Sequence, residues 1–213
     1  MKETTKKIYE QLLERYPALD CCKDSIMRAY GIIENCYKTG GKLLLCGNGG
    51  SASDCEHIVG ELMKSFKKKR AIKSEVKENL LAFGEVGASL ASSLEGGLSA
   101  VSLTSHLALS TAFSNDVDPS LTFAQQLYSL ANKNDALIAI STSGNSDNCV
   151  KAVIVAKAFG LNTIALTGEK DSKLSSLCNV TVKVPARETF MIQEYHLPIY
   201  HALCAMLEEE FFD

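Results

Sequence analysis

The sequence predicts an α/β protein, a three-layer αβα sandwich with a five-stranded parallel sheet and an N-terminal helical arm. Short apolar runs alternate with longer segments in which apolar residues recur at helical spacing. Several runs are unbroken, which is typical of parallel strands covered by helices on both faces. The alternation implies right-handed crossovers between neighbouring strands. The predicted strands are residues 42–46, 100–103, 135–140, 162–166 and 179–184.

Helical segments precede and separate these strands. Residues 4–16 and 19–37 predict two helices, which form an arm over residues 1–40 that packs either on its own domain or on a partner subunit. A short helix or loop is predicted at 104–113, followed by a polar turn at 114–116. The remaining predicted helices are residues 51–69, 120–132, 149–159 and 189–210.

Residues 71–97 predict an extra, mostly helical segment to which the sequence assigns no chemistry. A chain of 213 residues suits one α/β domain. We therefore expect a single domain over 1–213, with the helical arm and this segment as additions to it.

The composition argues against nucleic-acid and membrane partners. The net charge is −3, and the basic run KSFKKKR at residues 64–70 is interpreted as an exposed helix end. No apolar stretch is long enough to span a bilayer, and the charged N-terminus lacks a signal-peptide core. Eight cysteines without a C-x-x-C pair predict buried free thiols. These features predict a cytoplasmic protein.

A glycine-rich turn follows the first predicted strand, in the stretch LLLCGNGGSASDCEHIVGE at 43–61. Gly47, Gly49 and Gly50 allow a tight turn and a close backbone approach, and the helix that follows presents free N–H groups. A strand, a glycine turn and a helix N-terminus predict an anion site, with phosphate as the usual anion. The alternative is a merely structural turn.

The same turn matches the dinucleotide pattern G-x-G-x-x-A at Gly47, Gly49 and Ala52. No acidic residue ends a strand some twenty residues later, as that fingerprint requires, and no Gly-Lys-Ser/Thr follows for a P-loop. A nucleotide-binding oxidoreductase is therefore a weaker hypothesis, and we expect no nucleotide cofactor.

A second polar loop, STSGNS, follows the third predicted strand. Hydroxyls and backbone N–H groups at a helix start can bind a phosphate without lysine. Because parallel strands end at one edge of the sheet, both loops are expected to line one crevice. The hydroxyls belong to Ser141, Thr142, Ser143 and Ser146.

Two helices carry candidate acid, base and metal groups. His57 and Glu61 are four residues apart, and Gln193 and His201 are eight apart, so each pair lies near one helix face. If the two helices face each other, these groups make a nitrogen and oxygen site suited to zinc or another borderline metal. The alternatives are a histidine packed in the core and an exposed carboxylate.

These motifs resemble the sugar isomerase (SIS) superfamily and, within it, the phosphoheptose isomerase family. The resemblance rests on CGNGGSASDCEHIVGEL, AISTSGNS, ALTG and IQEYHLPIYH. It covers the chain from about residue 20 to the end, apart from residues 71–97, which exceed the family's short connection there.

The resemblance implies a role for each matching residue. Glu61 is implied as general base and His201 as its acid/base partner. The phosphate is implied to bind Ser51, Ser141, Thr142, Ser143 and Ser146. The sugar is implied to contact Asn48, Gly49, Gly50, Gln193 and the Asn115-Asp116 turn. One zinc ion is implied to bind His57, Glu61, Gln193 and His201.

The implied activity is conversion of sedoheptulose 7-phosphate to D-glycero-D-manno-heptose 7-phosphate through an enediol, in a homotetramer with active sites between subunits. Two alternatives remain: an isomerase of another phosphosugar, and a non-catalytic SIS protein that senses a sugar phosphate or binds a replication initiator. Pro198 lies in the last predicted helix, where a bend would turn His201 away from Gln193.

Overall fold

The computed structural model describes residues 1–212 and contains one parallel sheet of five strands, which confirms the predicted fold class. The spatial order is β2-β1-β3-β4-β5, so the chain reverses its direction of winding at β1. In doubly wound sheets of this order, ligands bind at the carboxyl ends of β1 and β3. The strands are β1 Leu43–Gly47, β2 Ala100–Ser102, β3 Ala136–Ile140, β4 Asn162–Thr167 and β5 Val180–Lys183.

Helices cover both faces of the sheet, which completes the three layers. Within residues 1–212 there are two 3₁₀ turns, Pro17–Cys22 and Pro119–Leu121, and ten α-helices. The α-helices are α1 Glu3–Arg15, α2 Lys23–Lys38, α3 Gly50–Met63, α4 Ser74–Leu81, α5 Gly84–Ser93, α6 Leu107–Asp116, α7 Thr122–Leu130, α8 Asp147–Ala158, α9 Lys173–Leu177 and α10 Thr189–Phe211.

Successive residues of the central strands point into two separate cores. Leu43 and Leu45 of β1 join the core formed with α2, α3 and α10. Leu44 and Cys46 join the core formed with α7 and α8 on the opposite face. Burial on both faces explains why the central strands are continuous apolar runs.

The arm and the segment after α3 are both helical. Helix α1 packs on α10 of the same chain. Helices α4 and α5 pack on each other and leave Phe83 and Val86 exposed. No helix within residues 1–212 is long and apolar enough to cross a membrane.

Three local predictions are wrong. Helix α3 ends at Met63 instead of reaching residue 69, so the basic run is not helical. A 3₁₀ turn with proline at its first position occupies Pro17–Cys22, and the second helix starts only at Lys23. Residues 114–116 form the last turn of α6 rather than a separate turn.

The prediction of free thiols is confirmed. All eight cysteines are unpaired, and six of them are buried. Pro198 lies inside α10, which runs without interruption from Thr189 to Phe211. Although proline has no N–H to donate, its neighbours keep their helical conformation because most of this helix is buried.

Candidate active site

The glycine turn and the serine loop begin side by side. Gly47 at the end of β1 pairs with Ile140 at the end of β3. Beyond these residues, the side-chain amides of Asn48 and Asn148 donate to each other over 2.9 Å. The reciprocal pair ties the two loops together, and so the predicted common crevice is present.

Backbone geometry requires glycine in both loops. Gly49 has a φ of +56° at the start of α3, and Gly144 has a φ of +65° within the serine loop. A β-carbon on Gly144 would also lie 2.1 Å from Ser172 Oγ. The N–H of Leu174 donates to the Gly144 carbonyl, so the start of α9 supports the serine loop from behind.

Hydroxyls of the serine loop meet within hydrogen-bond distance. Ser141 Oγ and Ser146 Oγ are 2.9 Å apart. Ser143 is exposed, and its Oγ accepts the N–H of Asn145. Ser51 is buried in the first turn of α3. The crevice therefore offers hydroxyls and N–H groups at helix starts, a combination that binds phosphate.

A carboxylate and two histidines converge from α3 and α10. Glu61 Oε1 lies 3.3 Å from His57 Nε2 and 2.5 Å from His201 Nδ1. One ligand atom from each residue lies within 4.8 Å of the other two. The two helices thus face each other, which is the arrangement that the predicted metal site requires.

Burial shifts the pKa values of Glu61 and His201. Glu61 is 5% exposed, and desolvation raises the pKa of its carboxyl to about 7. Burial, and then the nearby His57, lower the pKa of His201 below its ordinary value. A carboxyl that titrates near neutral pH beside an uncharged imidazole suits proton transfer.

The same group has the chemistry of a metal site. Glu61 Oε2 and His201 Nδ1 are buried without a hydrogen-bond partner, although His201 Nδ1 lies 2.5 Å from the other oxygen of Glu61. Unpartnered buried oxygen and nitrogen atoms are unfavourable unless another group binds them. Two imidazoles and a carboxylate fit a divalent cation.

Gln193 lies beside the glycine turn. A β-carbon on Gly50 would be 2.6 Å from Gln193 Nε2 and 3.1 Å from its Oε1, so the amide packs directly on that turn. Glycine at position 50 is what allows this approach. Gln193 and His201 thus contact different parts of the crevice, although both belong to α10.

Asn115 and Asp116 are exposed at the end of α6. Within residues 1–212, their only side-chain hydrogen bond joins Asn115 Nδ2 to Asp116 Oδ1. Helix α6 packs on the 3₁₀ turn at Pro119–Leu121 and on α7. These contacts do not bring the two residues into the crevice of their own chain.

Two further histidines lie outside the site. His196 is fully buried with Nε2 3.4 Å from the Thr167 carbonyl oxygen, and burial lowers its pKa to about 4. It is a histidine packed in the core. His106 is exposed instead, with Nδ1 2.6 Å from Gln126 Oε1.

Sequence reasoning missed two residues that extend the carboxylate–histidine group. The Tyr200 hydroxyl lies 3.1 Å from His57 Nδ1 and 3.2 Å from Asp54 Oδ1. Burial raises the pKa of the Tyr200 phenol, so this hydroxyl stays protonated. The one available signal was the spacing of Asp54 and His57. They are three positions apart on α3 and therefore lie on the same helix face.

An ion pair behind the site was missed as well. Arg70 is buried, and its guanidinium donates to the carbonyls of Glu61 and Leu62 and to the carboxylate of Glu208. Glu208 also accepts backbone N–H groups of residues 66–68. Burial opposes the charge of Glu208, but these donors hold its pKa below the ordinary value. They also explain why α3 ends at Met63.

Comparison with known proteins agrees with this fold. SIS domain models match residues 9–95 and 95–208. The phosphoheptose isomerase of Helicobacter pylori (strain P12) is 37% identical, over 99% of this chain and 91% of its own. The phosphoheptose isomerase of a Nitratiruptor species is 35% identical, over 99% of this chain and 94% of its own.

A solved structure gives the same result. The phosphoheptose isomerase from Francisella tularensis superposes with a TM-score of 0.75 at 28% identity, covering 98% of this chain and all of the other. The fold and the crevice at β1 and β3 thus define a SIS-domain protein. Within that class, the chain belongs to the phosphoheptose isomerase family. The predicted family is confirmed.

Proposed function

We propose that the protein converts sedoheptulose 7-phosphate to D-glycero-D-manno-heptose 7-phosphate. The observation that carries this proposal is Glu61, a buried carboxyl with a pKa of about 7 that faces His201 at the edge of the crevice. A ketose–aldose isomerase needs such a base to move a proton between neighbouring carbons. Membership of the phosphoheptose isomerase family supports the choice of sugar.

The phosphate of the substrate is assigned to the two loops. The hydroxyls and the N–H groups at the starts of α3 and α8 can surround its oxygens. The sugar would then extend along Asn48, Gly49, Gly50 and Gln193 toward Glu61. The phosphate-binding hydroxyls are those of Ser51, Ser141, Thr142, Ser143 and Ser146.

The reaction can be written as three proton transfers. The Glu61 carboxylate removes a proton from C1 of the ketose, and the electron pair forms the double bond of an enediol. His201 moves a proton between the oxygens on C1 and C2. Glu61 then returns its proton to C2, which gives the aldose and restores the carboxylate. Atoms and charge balance without any redox partner.

We assign a zinc ion to the same site, with His57, Glu61, Gln193 and His201 as its ligands. Bound there, zinc would supply electrophilic polarisation of the sugar oxygens. The unpartnered buried atoms of Glu61 and His201 support a cation at this place. Gln193 would be a neutral oxygen ligand, and it would reach the ion from the side of the glycine turn, because its amide packs on Gly50.

We further propose a cytoplasmic homotetramer with active sites between subunits. Exposed apolar side chains on α5 and α6, such as Val86 and Leu107, supply surface for subunit contacts. A site shared between subunits would also give the exposed Asn115 and Asp116 a sugar to bind. The unpaired cysteines support a reducing compartment.

Proton NMR of sedoheptulose 7-phosphate incubated with the purified protein tests the reaction. We expect signals of an aldoheptose phosphate, their loss with a chelator and their return with added zinc. If only a different ketose phosphate is turned over, that sugar is the substrate and the proposed one is wrong. Binding without turnover of any candidate would favour the non-catalytic alternative.

A further inference from the structure

The imidazole of His57 makes one hydrogen bond with a protein side chain within residues 1–212, and its partner is the hydroxyl of Tyr200. Nδ1 lies 3.1 Å from that hydroxyl, whereas Nε2 faces Glu61 at 3.3 Å without a hydrogen bond. The rings of His57 and Tyr200 meet edge to face, with centroids 5.5 Å apart. Tyr200 thus contacts the ring nitrogen of His57 that does not face Glu61.

The direction of this hydrogen bond follows from Asp54. A carboxylate only accepts, so the Tyr200 O–H donates to Asp54 Oδ1, 3.2 Å away. The phenol has a single proton, and so its oxygen must accept from His57. Nδ1 of His57 therefore carries a proton, so in the neutral imidazole the lone pair is on Nε2, which faces Glu61.

We propose that Tyr200 and Asp54 are positioning residues that hold His57 in the tautomer able to bind a metal ion through Nε2. The proposal rests on the metal site of the proposed function and adds two residues to it. Metal-binding histidines commonly have the other ring nitrogen fixed by a partner of this kind. Here the carboxylate acts through a phenol instead of contacting the imidazole itself.

Burial separates this role from catalysis. Tyr200 is 2% exposed, so its hydroxyl does not reach a substrate in the crevice. The side chain of His57 is 49% exposed and needs a partner to keep its ring in one orientation. The buried hydroxyl of Tyr200 supplies that partner. Tyr200 lies on α10 next to His201, so the same helix positions both histidines.

The tautomer can be measured in metal-free protein with ¹⁵N-labelled histidine. In the wild type we expect Nδ1 of His57 to give the chemical shift of a protonated ring nitrogen and Nε2 that of an unprotonated one. Tyr200→Phe should produce a mixture of both tautomers. Tyr30→Phe is the matched control, because Tyr30 is also 2% exposed and its hydroxyl donates to a carboxylate, that of Glu34.

Zinc binding is the second readout, measured by competition with a chromophoric chelator. We expect Tyr200→Phe to weaken zinc binding by roughly 10–100-fold. Asp54→Ala should also weaken it. Tyr30→Phe should bind zinc as the wild type does. Circular dichroism of each variant verifies that it is folded.

The two proposals fail in different ways. Protonation of Nε2 in the wild type, or zinc binding by Tyr200→Phe equal to that of the wild type, would overturn the positioning role while leaving the isomerase intact. Absence of zinc binding by the wild type would also overturn it. Neither readout needs a sugar, so absence of turnover would count against the proposed reaction alone.

Discussion

Arg70 and Glu208 form a buried ion pair between positions 138 residues apart in the chain, with Nε 2.7 Å from Oε1. Their side chains are 0% and 1% exposed. Arg70 also donates to the carbonyls of Glu61 and Leu62, at the end of α3. The pair therefore connects the helix that carries Glu61 to the helix that carries His201.

Removing Arg70 should destabilise the protein severely. Arg70→Met leaves the Glu208 carboxylate buried without its cation, and loss of one partner of such a pair costs about 3–5 kcal/mol. Urea unfolding followed by circular dichroism measures the free energy of unfolding. Lys6→Ala is the control, because the Lys6–Glu10 pair is exposed and should contribute little. Equal stability of both variants would contradict the structural role of Arg70.

Replacing Glu61 with glutamine should abolish turnover and keep binding. Glutamine has nearly the same shape but cannot accept the C1 proton, and loss of a general base commonly costs about 10²–10⁴-fold in rate. Turnover is followed by NMR, and sugar-phosphate binding by calorimetry. Full activity of Glu61→Gln would remove Glu61 as the base.

The rate should depend on pH through the same carboxyl. Glu61 must be ionised to accept a proton, and burial raises its pKa to about 7. We expect kcat/KM to rise with pH up to about 7 and then to level off, until another group titrates. A steady-state profile measures this. A rate that is already constant from about pH 5 upward would show that the base has an ordinary carboxyl pKa.

His196 should make the fold sensitive to acid. Burial lowers its pKa from 6.5 to about 4, so the unfolded chain binds this proton more readily than the folded one. The contribution of His196 to stability is complete above pH 6.5 and is lost as the pH falls toward 4, by about 3 kcal/mol in total.

Urea unfolding of the wild type and of His196→Gln over this pH range isolates that contribution. We expect the difference in free energy of unfolding between the two proteins to shrink as the pH falls. A difference that does not change with pH would mean that His196 titrates normally.

Glycine at position 144 should matter for substrate binding. Gly144→Ala forces a β-carbon against Ser172 Oγ at a φ of +65°, so the serine loop must move. We expect a higher KM for the sugar phosphate and a lower free energy of unfolding. Gly31→Ala is the matched control: no atom lies within 4 Å of its added β-carbon, and inside α2 it should stabilise by about 0.5–1 kcal/mol. An unchanged KM in Gly144→Ala would exclude the loop from phosphate binding.

The sheet and the placing of His57 and Glu61 on one helix face could be predicted because their signals are local. An apolar run followed by glycines marks a strand and its turn, and a four-residue spacing places His57 and Glu61 on one face. The separation of Gln193 and His201 indicated only that both lie near one face of α10. No local signal shows that α10 faces α3, so the meeting of the two helices was a condition of the predicted metal site.

The end of α3 and the role of Tyr200 could not be predicted, because both depend on distant partners. The sequence after Met63 continues a helical pattern, but Glu208 accepts the N–H groups of residues 66–68 and so draws that backbone out of the helix. The Tyr200 hydroxyl meets Asp54 across 146 positions. The pattern of apolar residues within one segment does not indicate which distant residues it will contact.

Helix α10 carries Gln193, His201 and Glu208, and the span from the first to the last measures about 22 Å at the rise of an α-helix. Each residue added to or removed from this span would turn one end against the other by about 100°. The contacts of α10 with the glycine turn, with Glu61 and with Arg70 could then not all form at once. The three contacts therefore require a fixed number of residues between positions 193 and 208. Natural insertions and deletions should fall elsewhere in the chain.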